Sequence, residues 1–185
     1  MTVHLVLGGA RSGKSSYAES LVNGSDKSAS KHYVATAIAF DQEMTDRIAH
    51  HQRSRGDDWQ EHECPLQLAN QLQQFTANDV VLVDCLTLWL NNVIYNDGDT
   101  LSEPQVQAEV ANLVESLNGS AADIVLVSNE VGMGVVPMGE VSRLFVDNAG
   151  WMNQAIAKVA QRVTLVAAGL PLVLKDVAAE ETGRG

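Results

Sequence analysis

The chain has 185 residues, 12 Lys+Arg against 23 Asp+Glu, and a formal net charge of −11. That balance argues against general binding to nucleic acid or to a membrane surface, which wants a basic face. Hydrophobic content of 45% with only 5% aromatics suits one aliphatic α/β domain. No apolar run approaches a membrane span. Two cysteines, Cys64 and Cys85, lack metal-knuckle spacing and follow no signal peptide, so they read as reduced thiols in a cytoplasmic protein.

The first apolar run, residues 3–7, leads directly into Gly8, Gly9, Ala10, Arg11, Ser12, Gly13, Lys14 and Ser15. This is the strand–loop–helix setting of a phosphate-binding loop. The glycines allow a tight turn whose N–H groups point inward at phosphate oxygens. Lys14 can reach the β- and γ-phosphates, and the Ser15 hydroxyl can ligate Mg²⁺. The helix expected next, with Tyr17, Ala18, Leu21 and Val22 on its apolar side, adds the positive end of its dipole. Nucleoside triphosphate binding follows from this pattern in this context.

Residues 23–31 are polar and Ser-rich and predict an exposed loop. Further short apolar runs at 33–35, 80–83, 124–127 and 163–166 predict strands buried on both faces. A sixth, 172–174, follows a Gly169-Leu170-Pro171 turn as a hairpin partner. Helical patterns fall between most of them. The expected fold is α/β, a mostly parallel sheet with helices on both faces, over a single domain at residues 1–176. Residues 177–185 predict a frayed, flexible tail. Residues 96–100 predict an exposed loop before a helix with Ser102 as N-cap and Pro104 in its first turn.

Three further segments carry chemistry. The run 80–83 ends in Asp84, where a carboxylate at the strand end can hold Mg²⁺; alone, the pattern also fits a strand leading into an Asp-capped helix. Residues 41–55 are acidic at the start and basic at the end, as a helix dipole favours. On such a helix Arg47, His51 and Arg55 share one face, with Met44 and Ile48 on the buried stripe. His51 then lies about 60° from Ile48 and His50 about 160° from it. His51 fits a phosphate contact or a nucleophile toward the α-phosphate; surface or packing histidines are the other reading. Finally, Asn129 and Glu130 end the 124–127 strand at the sheet's carboxyl edge, where ligands collect, and Glu130 is the candidate site residue there. Asp147-Asn-Ala-Gly150 superficially fits a GTPase motif, but it comes late and no guanine-reading motif accompanies it. It reads as helix surface and packing.

Taken together, several motifs resemble one family. They are residues 8–15, Tyr33-Val-Ala-Thr36, the 41–55 segment with Trp59 and Glu63, Val83-Asp-Cys-Leu-Thr-Leu-Trp-Leu-Asn91, Ser128 to Pro137, Gly150-x-x-Asn-Gln154 and Gly-Leu-Pro-Leu-x-Leu-Lys175. The chain resembles, from about residue 3 to residue 175, the bifunctional adenosylcobinamide kinase / adenosylcobinamide-phosphate guanylyltransferases of cobalamin (vitamin B12) synthesis.

The resemblance implies a RecA-like P-loop NTPase fold, a homotrimer, and two reactions. Adenosylcobinamide is phosphorylated by ATP or GTP. GTP then gives GMP to adenosylcobinamide phosphate through a guanylyl-histidine, releasing pyrophosphate. By position that histidine falls in the pair His50-His51, with His51 favoured. The resemblance also implies that residues 8–15 bind the triphosphate, that Asp84 holds Mg²⁺, and that Glu63, Ala35 and Thr36 contact nucleotide.

The two reactions attack different phosphorus atoms, so the 41–55 helix is expected to swing on a hinge at residues 55–58. Two other readings compete. One is a P-loop small-molecule kinase without nucleotidyl transfer. The other is a regulatory ATP-binding module whose output is assembly.

Overall fold

The structure is a computed structural model that describes residues 1–26, 28–38, 56, 58–96, 99–135 and 137–177. The expected helix at 41–55, with Arg47, His50, His51 and Arg55, lies outside these residues. So does the tail at 178–185.

The order of elements is β1 (Val3–Gly8), α1 (Lys14–Asn23), β2 (Ser30–Ala35), β3 (Trp59–Glu63), α2 (Leu68–Leu72) and β4 (Asp79–Asp84). Then come α3 (Leu86–Ile94), β5 (Tyr95–Asn96), β6 (Asp99–Thr100), α4 (Glu103–Gly119), β7 (Asp123–Asn129), α5 (Glu140–Val159), β8 (Arg162–Ala167) and β9 (Leu170–Asp176). One seven-stranded sheet runs β3-β2-β4-β7-β1-β8-β9. Every neighbouring pair is parallel except β8 with β9, which is antiparallel.

The central strands read as continuous apolar runs because both faces are covered. Val81, Val83, Ile124, Leu126, Val3 and Leu5 pack with α2, α3, α4 and α5 on one side. Val80, Leu82, Val125, Val127 and Val6 pack with Ala18 and Val22 of α1 on the other. Val81, Leu82 and Val83 are fully buried, each a contribution of about 1.5–3 kcal/mol. Helix α3 is apolar nearly all round, as a core helix must be. Within it, the Asn92 amide donates to the Thr36 and Pro65 carbonyls at 2.8 and 3.1 Å. The Ser102 cap of α4 forms as expected: Gln105 Oε1 accepts from the Ser102 N–H at 3.0 Å and from its hydroxyl at 2.7 Å.

One strand is unexpected and two expectations are corrected. Strand β3 carries no apolar run (Trp-Gln-Glu-His-Glu), because it is a half-exposed sheet edge that β2 holds by backbone pairing. Residues 96–100 are not wholly loop: Tyr95 pairs Thr100 and Asn96 pairs Asp99 in a two-stranded ladder. The β8–β9 turn sits one step earlier than expected, at Ala168 and Gly169, whose φ values of 52° and 78° suit a tight hairpin. Pro171 is consequently inside β9, tolerated because β9 is an edge strand.

Candidate active site

Loop 9–13 leaves β1 at the carboxyl edge of the sheet and delivers Lys14 as the first residue of α1. The bend rests on two left-handed residues, Arg11 at φ 56° and Gly13 at φ 92°. Gly8 is required sterically: a Cβ there would stand 2.4 Å from Ser12 Oγ and 2.6 Å from the Val166 carbonyl oxygen. Gly13 has φ in the glycine region and faces Gly169 Cα at 3.2 Å from its own would-be Cβ. The Gly169 N–H in turn donates to the Ser12 carbonyl at 2.8 Å. The hairpin tip therefore braces the loop.

Lys14 is buried, and its ammonium donates to the Gly9 carbonyl at 3.1 Å. Among the described residues it has no ion-pair partner. A buried ammonium with one neutral acceptor is poised for an anion. Ser12 Oγ is also buried without a partner among the described residues, while Ser15 is half-buried at the start of the helix. No side chain caps α1, which leaves its first N–H groups available to phosphate oxygens. Gly9, Ala10 and Arg11 are exposed along the same loop.

Asp84 ends β4 and is half-buried. It does not cap α3, whose N-cap is Cys85. Among the described residues its carboxylate has no hydrogen bond or ion pair. The register places Glu63, Ala35 and Asp84 in one row at the strand ends. Thr36 follows, fully buried, and its hydroxyl is engaged: it donates to the Cys85 carbonyl at 2.7 Å and accepts from the Cys85 N–H at 2.8 Å. Its side chain thus secures the turn after Asp84. Burial, with the Asp84 charge beside it, pushes the Cys85 thiol up to about 12. Burial also raises Cys64. Both thiols are free.

Strand β7 lies between the Asp84 strand and the loop strand, so its end faces both. Asn129 is in register with Gly8, and the Glu130 N–H donates to the Gly8 carbonyl at 3.1 Å. Glu130 Oε1 accepts from the Gly132 N–H at 2.7 Å, which turns it back on its own loop.

A directional chain underlies this edge. The Ser128 hydroxyl donates to Asn153 Oδ1 at 2.8 Å, Thr87 Oγ1 stands 3.4 Å from Ser128 Oγ, and the Asn129 N–H donates to Thr87 Oγ1 at 2.7 Å. Asn129 Oδ1 is buried with no partner among the described residues. Buried acceptors are seldom left so, which marks it as a ligand-facing group. All four residues lie in the sequence motifs, but the contacts that join them span 41 and 25 residues of sequence. Asp147 is exposed on α5 and Asn148 packs inward, as helix surface and packing require.

Residues 4–174 match the family model described as cobinamide kinase / cobinamide phosphate guanyltransferase. The chain belongs to this family.

A Pseudomonas aeruginosa relative, described as bifunctional adenosylcobalamin biosynthesis protein CobP, is 50% identical over 173 residues, covering 92% of this chain and 96% of that protein. The Escherichia coli bifunctional adenosylcobalamin biosynthesis protein CobU is 36% identical over 181 residues, covering 92% and 98%. In structure, a solved ATPase domain superposes with TM-score 0.55 at 12% identity, over 95% of this chain and 77% of that one. A KaiC-like protein from Pyrococcus horikoshii superposes with TM-score 0.50 at 12% identity, over 89% of this chain and 70% of that one. These likenesses show the P-loop NTPase fold. Among the described residues no helix is long and apolar enough to cross a membrane.

Proposed function

We propose that this family member phosphorylates adenosylcobinamide and then guanylylates the product. In the first step the aminopropanol hydroxyl oxygen bonds to the γ-phosphorus of ATP or GTP. The bond from that phosphorus to the β–γ bridging oxygen breaks, and the hydroxyl proton is lost to solvent. In the second, an imidazole nitrogen of His51, with His50 the alternative, attacks the α-phosphorus of GTP and releases pyrophosphate. The phosphate oxygen of adenosylcobinamide phosphate then displaces the histidine, giving adenosylcobinamide-GDP.

The observation that carries the phosphate chemistry is the convergence of Lys14, the Asp84 carboxylate and the acceptor Asn129 Oδ1 at one sheet edge. Lys14 and the first amides of α1 would hold the phosphates. Glu63 and Ala35, in the Asp84 row, would face the nucleotide, with Arg47 and Arg55 supplying further positive charge. Asp84 and Ser15 offer the hard oxygen donors that Mg²⁺ takes alongside phosphate oxygens and water. When bound there, Mg²⁺ offsets charge on the transferring phosphoryl group. Glu130, turned toward Gly132, would shape the acceptor side.

Two looser features fit the same reading. Strand β9 exposes Leu170, Leu172, Val173 and Leu174 along an open sheet edge, which supports a homotrimer as the working assembly. Two free cysteines suit a cytoplasmic enzyme.

The deciding experiment incubates the protein with α-labelled GTP and Mg²⁺, denatures it, and looks for acid-labile, base-stable label. Label lost in His51→Ala and kept in His50→Ala assigns the nucleophile. Absence of label with authentic cobinamide phosphorylation would leave a kinase without nucleotidyl transfer. Light scattering of the eluting protein reads the trimer.

A further inference from the structure

Residues 65–78 contain no Asp, Glu, Lys or Arg but carry six side-chain amides, in a chain that is 19% charged overall. This uncharged stretch covers the residues before α2, α2 itself and the turn after it. Helix α2 and helix α4 flank a cleft of about 860 Å³. Its polar lining includes Gln67, Asn70 and Gln73 on one wall and Asn112 on the other. All four residues are exposed. Among the described residues Gln73 and Asn112 make no side-chain hydrogen bond, and the one between Gln67 and Asn70 is long, at 3.5 Å. Donors and acceptors therefore stand open in pairs. Leu66, Val93 and Leu101 supply apolar floor, and Glu109 and Glu115 add carboxylate acceptors.

A second hollow, of about 330 Å³, shares Leu66, Gln67 and Asn70 with the cleft and extends to Glu63 and Cys64. Glu63 lies in the Asp84 row, two strand spacings or about 10 Å away. The Leu66–Gln67 end of the cleft thus adjoins the sheet edge that carries the Asp84 row.

We infer that this cleft is the docking site for the carboxamide-bearing rim of the corrin ring of cobinamide. The inference rests on the cobinamide reading proposed above. A carboxamide pairs with a carboxamide through one N–H donor and one carbonyl acceptor each, with no charge to desolvate. A wall of side-chain amides with an apolar floor matches a large ring edged with amides. A polyanionic nucleotide finds no cationic complement there, since the lining carries no Lys or Arg. The ring held in the cleft would leave its flexible aminopropanol arm free to cross to the Asp84 edge.

The test compares the whole protein with the triple variant Asn70→Ala/Gln73→Ala/Asn112→Ala, using dicyanocobinamide as the acceptor. All three side chains are exposed, so folding is spared. Loss of three amide contacts is expected to raise the acceptor KM by about tenfold or more. The GTP KM, and kcat at saturating acceptor, should stay within about twofold. Gln73→Trp, which fills the cleft, is expected to act in the same direction. Equilibrium dialysis of dicyanocobinamide reads the same loss without turnover. A wild-type enzyme that phosphorylates cobinamide, with variant acceptor KM and dialysis unchanged, overturns this site and leaves the proposed function standing. A wild-type protein that neither binds nor phosphorylates cobinamide overturns both.

Discussion

The Gly169 N–H donates to the Ser12 carbonyl oxygen at 2.8 Å, joining the tip of the β8–β9 hairpin to the middle of the phosphate loop. Gly169 holds φ 78°, a value that costs an L-residue about 1–2 kcal/mol. Nothing stands within 4 Å of a Cβ at that position, so strain is the whole steric cost. Gly169→Ala is expected to lose about that much stability in urea and to weaken GTP binding in the same variant. Full stability loss with unchanged GTP affinity would disconnect the hairpin from the loop.

Gly8 and Gly9 are adjacent but not equivalent. A Cβ at Gly8 meets Ser12 Oγ at 2.4 Å and the Val166 carbonyl at 2.6 Å, whereas a Cβ at Gly9 meets nothing within 4 Å. Gly8→Ala is expected to cost about 1–3 kcal/mol and to abolish tight GTP binding. Gly9→Ala should fold with wild-type stability. Thermal melts with and without GTP check the pair.

Thr87 acts through Asn129. Its Oγ1 accepts the Asn129 N–H at 2.7 Å and stands beside the Ser128–Asn153 bond. Thr87→Val preserves shape but leaves that N–H unpaired, a cost of about 1–3 kcal/mol. The expected result is a fall in kcat for cobinamide phosphorylation with little change in GTP KM. Thr87→Ser, which restores the hydroxyl, should recover most of it. Failure of serine to rescue would point to packing instead.

Stability is expected to decline as pH falls below about 6.5. Burial, and then the Arg162 charge, lowers His4, while burial and then His32 lower His62. Each native imidazole therefore resists a proton that the unfolded chain accepts. The stability these groups supply is complete above the unfolded value and lost as pH drops toward the native one. His4 also bonds Thr164 Oγ1 at 2.8 Å. Urea midpoints at successive pH values should show the loss, and His4→Gln should flatten it.

Cys85 is expected to resist alkylation at about pH 8, since its thiol is pushed up to about 12 by burial and by Asp84. Iodoacetamide followed by mass spectrometry should modify it only after denaturation. Rapid labelling of the native protein would contradict the closed Cys85 environment.

Much of the frame was legible in residue order. Runs such as 80–83 announced strands buried on both faces, because four consecutive apolar residues have no solvent-facing side. Residues 8–15 announced a phosphate loop, because glycine placement and a lysine at the helix start are local requirements. Ser102 announced its helix for the same reason.

Strand β3 did not declare itself. Its residues are half-buried or exposed and mostly polar, and backbone pairing with β2 makes them a strand. Nor could residue order show that Thr36 spends its hydroxyl on Cys85, 49 positions away. The sequence by itself determined the fold class, the phosphate loop and the family. Tertiary structure alone decided what braces that loop, which strand ends share the Asp84 row, and which amides line one cleft. Local conformational rules are written into neighbouring residues, whereas these relationships arise only when distant strands and helices come into contact.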